Sequence, residues 1–207
     1  MTKIITAITL FICSLLSAQT QFEQGMEKAM GLWKEGKNDE ASAMFERIAS
    51  ADKTSYLPNY YVALINTTSA FTEKDKTKID LLLVKAQDAL DIELIKDQNN
   101  AELNVLQALI YTAWVVADPM TNGMKYSSKV MEAYAKAKAI DANNPRAVFG
   151  EADYQLGGAK WTGVDTKPLC VQVDKAIELF ATFKPETAFS PKWGLERALE
   201  AQKNCKK

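Results

Sequence analysis

Two sets of side chains in this sequence have types and spacings that could do chemistry. Asn104, Gln107, Tyr111, Trp114 and Asp118 follow one another at intervals of three, four, three and four residues, the spacing that puts side chains on one stripe of a helix. Amides placed this way can hydrogen-bond an extended peptide, and Tyr and Trp add flat contact area with a polar edge. Asn59 and Asn66 in the preceding segment extend that stripe, as do Arg146 and Asp153 in the following one. The other reading is that Tyr111 and Trp114 are core packing and the amides ordinary surface. The second set is Cys170 and Cys205, which in an oxidising compartment could tie the last helix to an earlier one. Two buried free thiols are the alternative.

Other chemistry is excluded or unsupported. The 207 residues contain no histidine, which removes Ser-His-Asp and Cys-His nucleophiles, imidazole acid–base schemes and His-ligated zinc. Asp141-x-Asn143 starts like a calcium loop, but Arg146 stands where the loop needs its turn glycine. Gly157-Gly158 lacks the spacing of a dinucleotide motif. The expectation is a non-catalytic protein with no cofactor and no metal. The 25 basic and 26 acidic residues are interspersed, so no basic stripe offers itself to nucleic acid.

The elements that must position these residues read as helices throughout. Residues 1–19, "MTKIITAITLFICSLLSAQ", place Lys3 before an apolar run and end in small or polar residues, the layout of a secretory signal peptide. Residues 20–207 then form one domain, periplasmic or secreted, with no later membrane span. Apolar spacing of three and four predicts helices over Phe22–Glu35, from Asn38 with Ala41, Phe45 and Ile48 inward, and over Leu57–Phe71, Lys76–Lys96, Ala101–Ala117, Met124–Ile140, Pro145–Leu156, Pro168–Phe183 and Pro191–Asn204. Those starting at Leu57, Ala101, Pro145 and Pro191 lie 44, 44 and 46 residues apart, and a fixed period signals stacked units that share a core. Asp97-x-Asn99-Asn100 and Asp141-x-Asn143-Asn144 mark two of these junctions, where asparagine can end one helix and cap the next.

"LWKEGKNDEASAMFERIA" resembles a tetratricopeptide repeat, with Ala29, Gly36, Ala41 and Phe45 at the matching positions. "SYLPNYYVAL", "ADPMTNGMKYS", "DANNPRA" and "FKPETAFSPKWG", in that order, resemble exported bacterial tetratricopeptide-like proteins. The resemblance implies an all-α, right-handed stack of about four helical hairpins with a C-terminal capping helix, acting as an envelope scaffold or adaptor. A protein or peptide partner would lie on the inner curve, against Asn59, Asn66, Asn104, Gln107, Tyr111, Trp114 and Asp153. The alternative is a small-molecule or glycan binder built on the aromatic-bearing connectors, "DPMTNGMKY" with Tyr126 and "GGAKWTG" with Trp161. Trp161 otherwise seals the fourth hairpin, Trp193 covers the terminal repeat, and Arg146 pairs with an acid such as Asp118.

Overall fold

The computed structural model describes residues 21–206. The segment expected to be a signal peptide lies outside the described residues. Within them the regular structure is helical throughout: α1 (21–34), α2 (Asn38–Ala51), α3 (Leu57–Ala70), α4 (Lys76–Lys96), α5 (Ala101–Ala117), α6 (Pro119–Ile140), α7 (Pro145–Thr162), α8 (Thr166–Thr182) and α9 (Leu195–Cys205). Consecutive helices pair as α3/α4, α5/α6 and α7/α8, with α9 packed on α7 and α8 as the cap, and α1 lies against α2, where Gly25 meets Ile48. The inner helices α3, α5 and α7 touch one another in sequence, and α4, α6 and α8 form the outer layer.

The junctions follow from local chemistry. At the first, the Asp97 carboxylate accepts from the Asn99 N–H and the Asn100 side chain accepts from the Leu103 N–H. At the second, Asp141 accepts from the Asn143 N–H and Asn144 from the amides of Arg146 and Ala147. The same Asp-x-Asn-Asn pattern therefore closes one helix with an Asx turn and caps the next. Gly36, at φ 78°, makes the sharp α1–α2 turn that a side chain would strain.

Two expected loops are helical instead. Asp118 caps α6 through the Thr121 N–H and Pro119 takes the first helical turn, so α6 begins five residues before Met124. "GGAKWT" continues α7 to Thr162, where Gly163 at φ 69° ends it. These two connectors thus lengthen helices. By contrast, residues 183–194 stay irregular, and α9 starts at Leu195, after the expected Pro191.

That irregular segment crosses the first turns of the inner helices. The Tyr61 hydroxyl donates to the Phe189 carbonyl at 2.7 Å, the Trp193 indole N–H donates to the Tyr60 hydroxyl at 2.7 Å, and Phe189 meets Phe22 edge to face. Beneath it lies an ion pair. Arg146, 1% exposed, donates through Nε and Nη2 to both oxygens of Glu102 at 2.7–3.0 Å. Asn144 donates to the same carboxylate at 2.7 Å, and the Arg146 guanidinium lies 4.4 Å from the Phe183 ring centre. Arg146 was expected to pair with an acid such as Asp118; it takes Glu102 because both stand in first turns, whereas Asp118 follows the far end of α5 and pairs with Lys76. Trp193, expected over the terminal repeat, reaches α3 through Tyr60.

The core also depends on close approach. A Cβ at Gly150 would stand 2.5 Å from the Tyr134 ring, so glycine there lets α7 meet α6. Cys170 and Cys205 are disulfide-bonded, with Cα atoms 5.7 Å apart, fastening the start of α8 to the end of α9.

Two outcomes follow from this packing. Glu102→Ala leaves a buried guanidinium unpaired and should cost about 3–5 kcal/mol, read as a lowered denaturation midpoint at unchanged m-value. Burial pushes the hydroxyls of Tyr60 and Tyr134 well above the ordinary tyrosine range, with nearby carboxylates adding to the shift. Unfolded tyrosines ionise near pH 10 while these two keep their protons, so stability holds below that pH and falls above it. The slope should be about 1.4 kcal/mol per pH unit for each, measured by denaturant titrations across the alkaline range and reduced in Tyr134→Phe.

Candidate functional site

The stripe read from the sequence divides into a buried half and a half-exposed half. Asn104 is buried and donates to the carbonyls of Gln98 and Asn100. Gln107 exchanges hydrogen bonds with Gln87 of α4 at 2.8 and 2.9 Å. Asn66 is buried and donates to Ser42 Oγ and the Val62 carbonyl, while Asn59 donates to Glu93 at 2.6 Å. Asp153 pairs with Arg197 of α9 at 3.1 Å. Among the described residues no buried side-chain nitrogen or oxygen lacks a partner, so these amides are already engaged within the chain.

Tyr111 and Trp114 differ. The Gln107 contact with α4 turns this face of α5 outward, into the seam between α4 and α6, and away from the inner curve. Trp114 leans on the cluster of Ile79, Leu83 and Ala113, beside Leu82. From the other wall, Tyr126 of α6 stacks across both rings, its centre 5.5 Å from Tyr111 at 26° and 6.0 Å from Trp114 at 14°. All three rings are half-buried. Lys125 Nζ stands 4.8 Å from the Tyr126 centre, and Lys129 Nζ 5.6 and 5.8 Å from Tyr126 and Tyr111, distances at which ammonium groups are held by ring faces. Burial raises the Tyr111 hydroxyl above its ordinary range, and Asp91, Tyr126 and Glu132 add to it, so it stays a neutral donor. Three near-parallel rings flanked by two cations suit a flat apolar molecule that carries carboxylates.

Tyr126, Lys125 and Lys129 owe their place to the early start of α6. The signal for it is Asp118-Pro119, an N-cap followed by a first-turn proline, which outweighs the turn-like "TNG" after it. Trp161, for which a ligand-binding connector and a seal of the fourth hairpin are the two expectations, is 80% exposed at the end of α7 with Lys160 Nζ 4.7 Å from its ring centre. An open cleft of about 860 Å³ lies between the α1–α2 turn, the end of α3 and the start of α4. Its lining of Lys37, Asp39, Glu40, Lys74 and Lys78 is largely charged, and it presents no aromatic face. No group of three or more His, Cys, Asp or Glu that could hold a metal ion occurs among the described residues.

The fold has a counterpart of known structure. The HusA haemophore from Porphyromonas gingivalis superposes with a TM-score of 0.77 over 89% of this chain and 92% of that one, at 22% identity. At that identity the likeness shows the all-helical fold alone. No family model matches the sequence, and no curated protein does. Both chains thus share one arrangement of helices, against which this chain's own seam can be judged.

Proposed function

We propose that this chain is an exported, non-catalytic binding protein for a flat, anionic, largely apolar small molecule, with a porphyrin as the class to test first. The observation that carries the reading is the stack of Tyr111, Tyr126 and Trp114 bordered by Lys125 and Lys129. A macrocycle would lie on the outer face of this stack and gain apolar contact and ring stacking, and its carboxylates would draw the two ammonium groups off the rings. The haemophore of matching fold supports the choice of ligand class. Export is supported by the signal-like residues 1–19 and by the Cys170–Cys205 bond, which belongs to an oxidising compartment.

A peptide-binding scaffold working through the inner curve is less well supported. Residues 183–194 already cover the first turns of α3, α5 and α7 there, and Asn66, Asn104 and Gln107 have internal partners. A partner would have to displace both.

Titration of the purified chain with haemin and with metal-free protoporphyrin IX, followed by Soret absorbance and quenching of tryptophan emission, tests the reading. Trp114→Ala with Tyr126→Ala should weaken binding by about 10-fold or more, the loss of roughly two stacking contacts at about 0.5–1.5 kcal/mol each. Unchanged affinity in that variant overturns the assignment of the site, and no binding of either compound overturns the reading. The reading assigns the affinity to the ring contacts and gives no residue to the iron, so metal-free protoporphyrin should bind within about 10-fold of haemin, a gap of 1.4 kcal/mol.

A further inference from the structure

The hairpin turns at one end of the stack form a surface unlike the rest of the molecule. Glu102 and Arg146 pair from the first turns of α5 and α7, so these helices run side by side in the same direction. At about 1.5 Å per residue, Trp161 on α7 then stands level with Ala117 on α5. Lys76, at the start of α4, reaches Asp118 after α5 at 3.1 Å, which brings the α3–α4 turn to the same end. The chain here exposes large apolar groups from successive turns: Phe71 after α3, Met120 and Met124 in the first turns of α6, at 90% and 96% exposure, and Trp161 and Val164 around the end of α7. Single exposed apolar residues need no explanation, but a group of them at one end of a fold does.

Lysines are interleaved with them. Lys74, Lys125, Lys160 and Lys167 are all exposed, and none forms a salt bridge to another described residue. Around the α3–α4, α5–α6 and α7–α8 turns the carboxylates are turned to the helix starts. Asp75, Asp118 and Asp165 accept from the amides of Lys78, Thr121 and Lys167, and Glu73 accepts from those of Lys74 and Asp75. The positive ends of three helices thus offset these acids, and the lysine ammonium groups are what these three turns present to a partner, set apart from the α1–α2 turn with its exposed Glu35, Asp39 and Glu40.

We propose that this end docks on a lipid bilayer surface bearing anionic headgroups, with Trp161, Met120, Met124 and Phe71 entering the headgroup layer and the neighbouring lysines meeting the phosphates. Tryptophan beside lysine is the pairing that suits a membrane–water boundary. Apolar points carried on separate turns, each next to a cation, match a charged plane better than a folded partner's single pocket. No helix among the described residues is long and apolar enough to cross a membrane, so the attachment is peripheral and held by apolar insertion together with electrostatic attraction. This surface is independent of the ligand reading, since neither Trp161 nor Lys160 belongs to the ring stack.

The test is sedimentation of the purified chain, lacking residues 1–19, with vesicles of phosphatidylcholine alone and with phosphatidylglycerol added. The chain should pellet with the anionic vesicles, and less as salt is raised. Trp161→Ala with Lys160→Gln should lower that partitioning about 10-fold, with helical circular dichroism unchanged because both residues are exposed. Lys53→Gln, at the opposite end after α2, should leave it unaltered. Absence of pelleting, equal pelleting with neutral vesicles, or undiminished binding by the double variant overturns the proposal.

Discussion

The ion pair between Arg146 and Glu102 is the constraint on which the arrangement depends. A guanidinium with no exposed side-chain surface is tolerated only when its donors are met, and here a bidentate carboxylate meets them from the neighbouring repeat. That requirement fixes the offset of α7 against α5. It also places Asn144, Tyr60 and Trp193 around the same carboxylate, so three repeats and the segment before α9 share one polar knot. The Arg146 Nη1 bond to the Trp193 carbonyl carries the constraint into residues 183–194. An apolar core alone would permit sliding between repeats; the knot permits one register.

The consequence for function is a molecule with two dissimilar ends. At the knotted end the inner curve is covered and its hydrogen-bonding groups are engaged. At the other end, and in the seam between α4 and α6, aromatic rings face solvent beside Lys74, Lys125, Lys129, Lys160 and Lys167, none of which forms a salt bridge to another described residue, whereas Lys76 pairs with Asp118. On the proposed reading, recognition moves from the concave face, the usual location in a helical stack, to the outer seam. The lengthening of α6 and α7 is what supplies this surface: without the turns from Pro119 to Tyr126 the stack on Tyr111 and Trp114 would be missing, and without "GGAKWT" Trp161 would not project.

Much of the architecture was legible because its causes are local. The 44-residue spacing of Leu57, Ala101 and Pro145 and the paired Asp-x-Asn-Asn junctions depend on residues within a few positions of one another, and the structure realises both. The path of residues 183–194 was not legible, because its contacts join positions 128 and 133 apart, Tyr61 to Phe189 and Trp193 to Tyr60. The same holds for the choice of Glu102 over Asp118 by Arg146, which follows from helix direction and register. Within the candidate site, Tyr111 and Trp114 were visible from their spacing. Which layer they face was not, since the period of a helix defines a stripe without saying what lies opposite.

The claim that recognition belongs to the seam, with the knotted end closed, is tested most directly by amide hydrogen exchange with and without protoporphyrin IX. The account expects slower exchange over the last turns of α5 and the first of α6, from Tyr111 to Lys129, and no change over residues 183–194 or the first turns of α3, α5 and α7. Protection centred on residues 183–194 and the surroundings of Tyr60 would contradict it, since the ligand would then occupy the inner curve that the Arg146 knot is held to close.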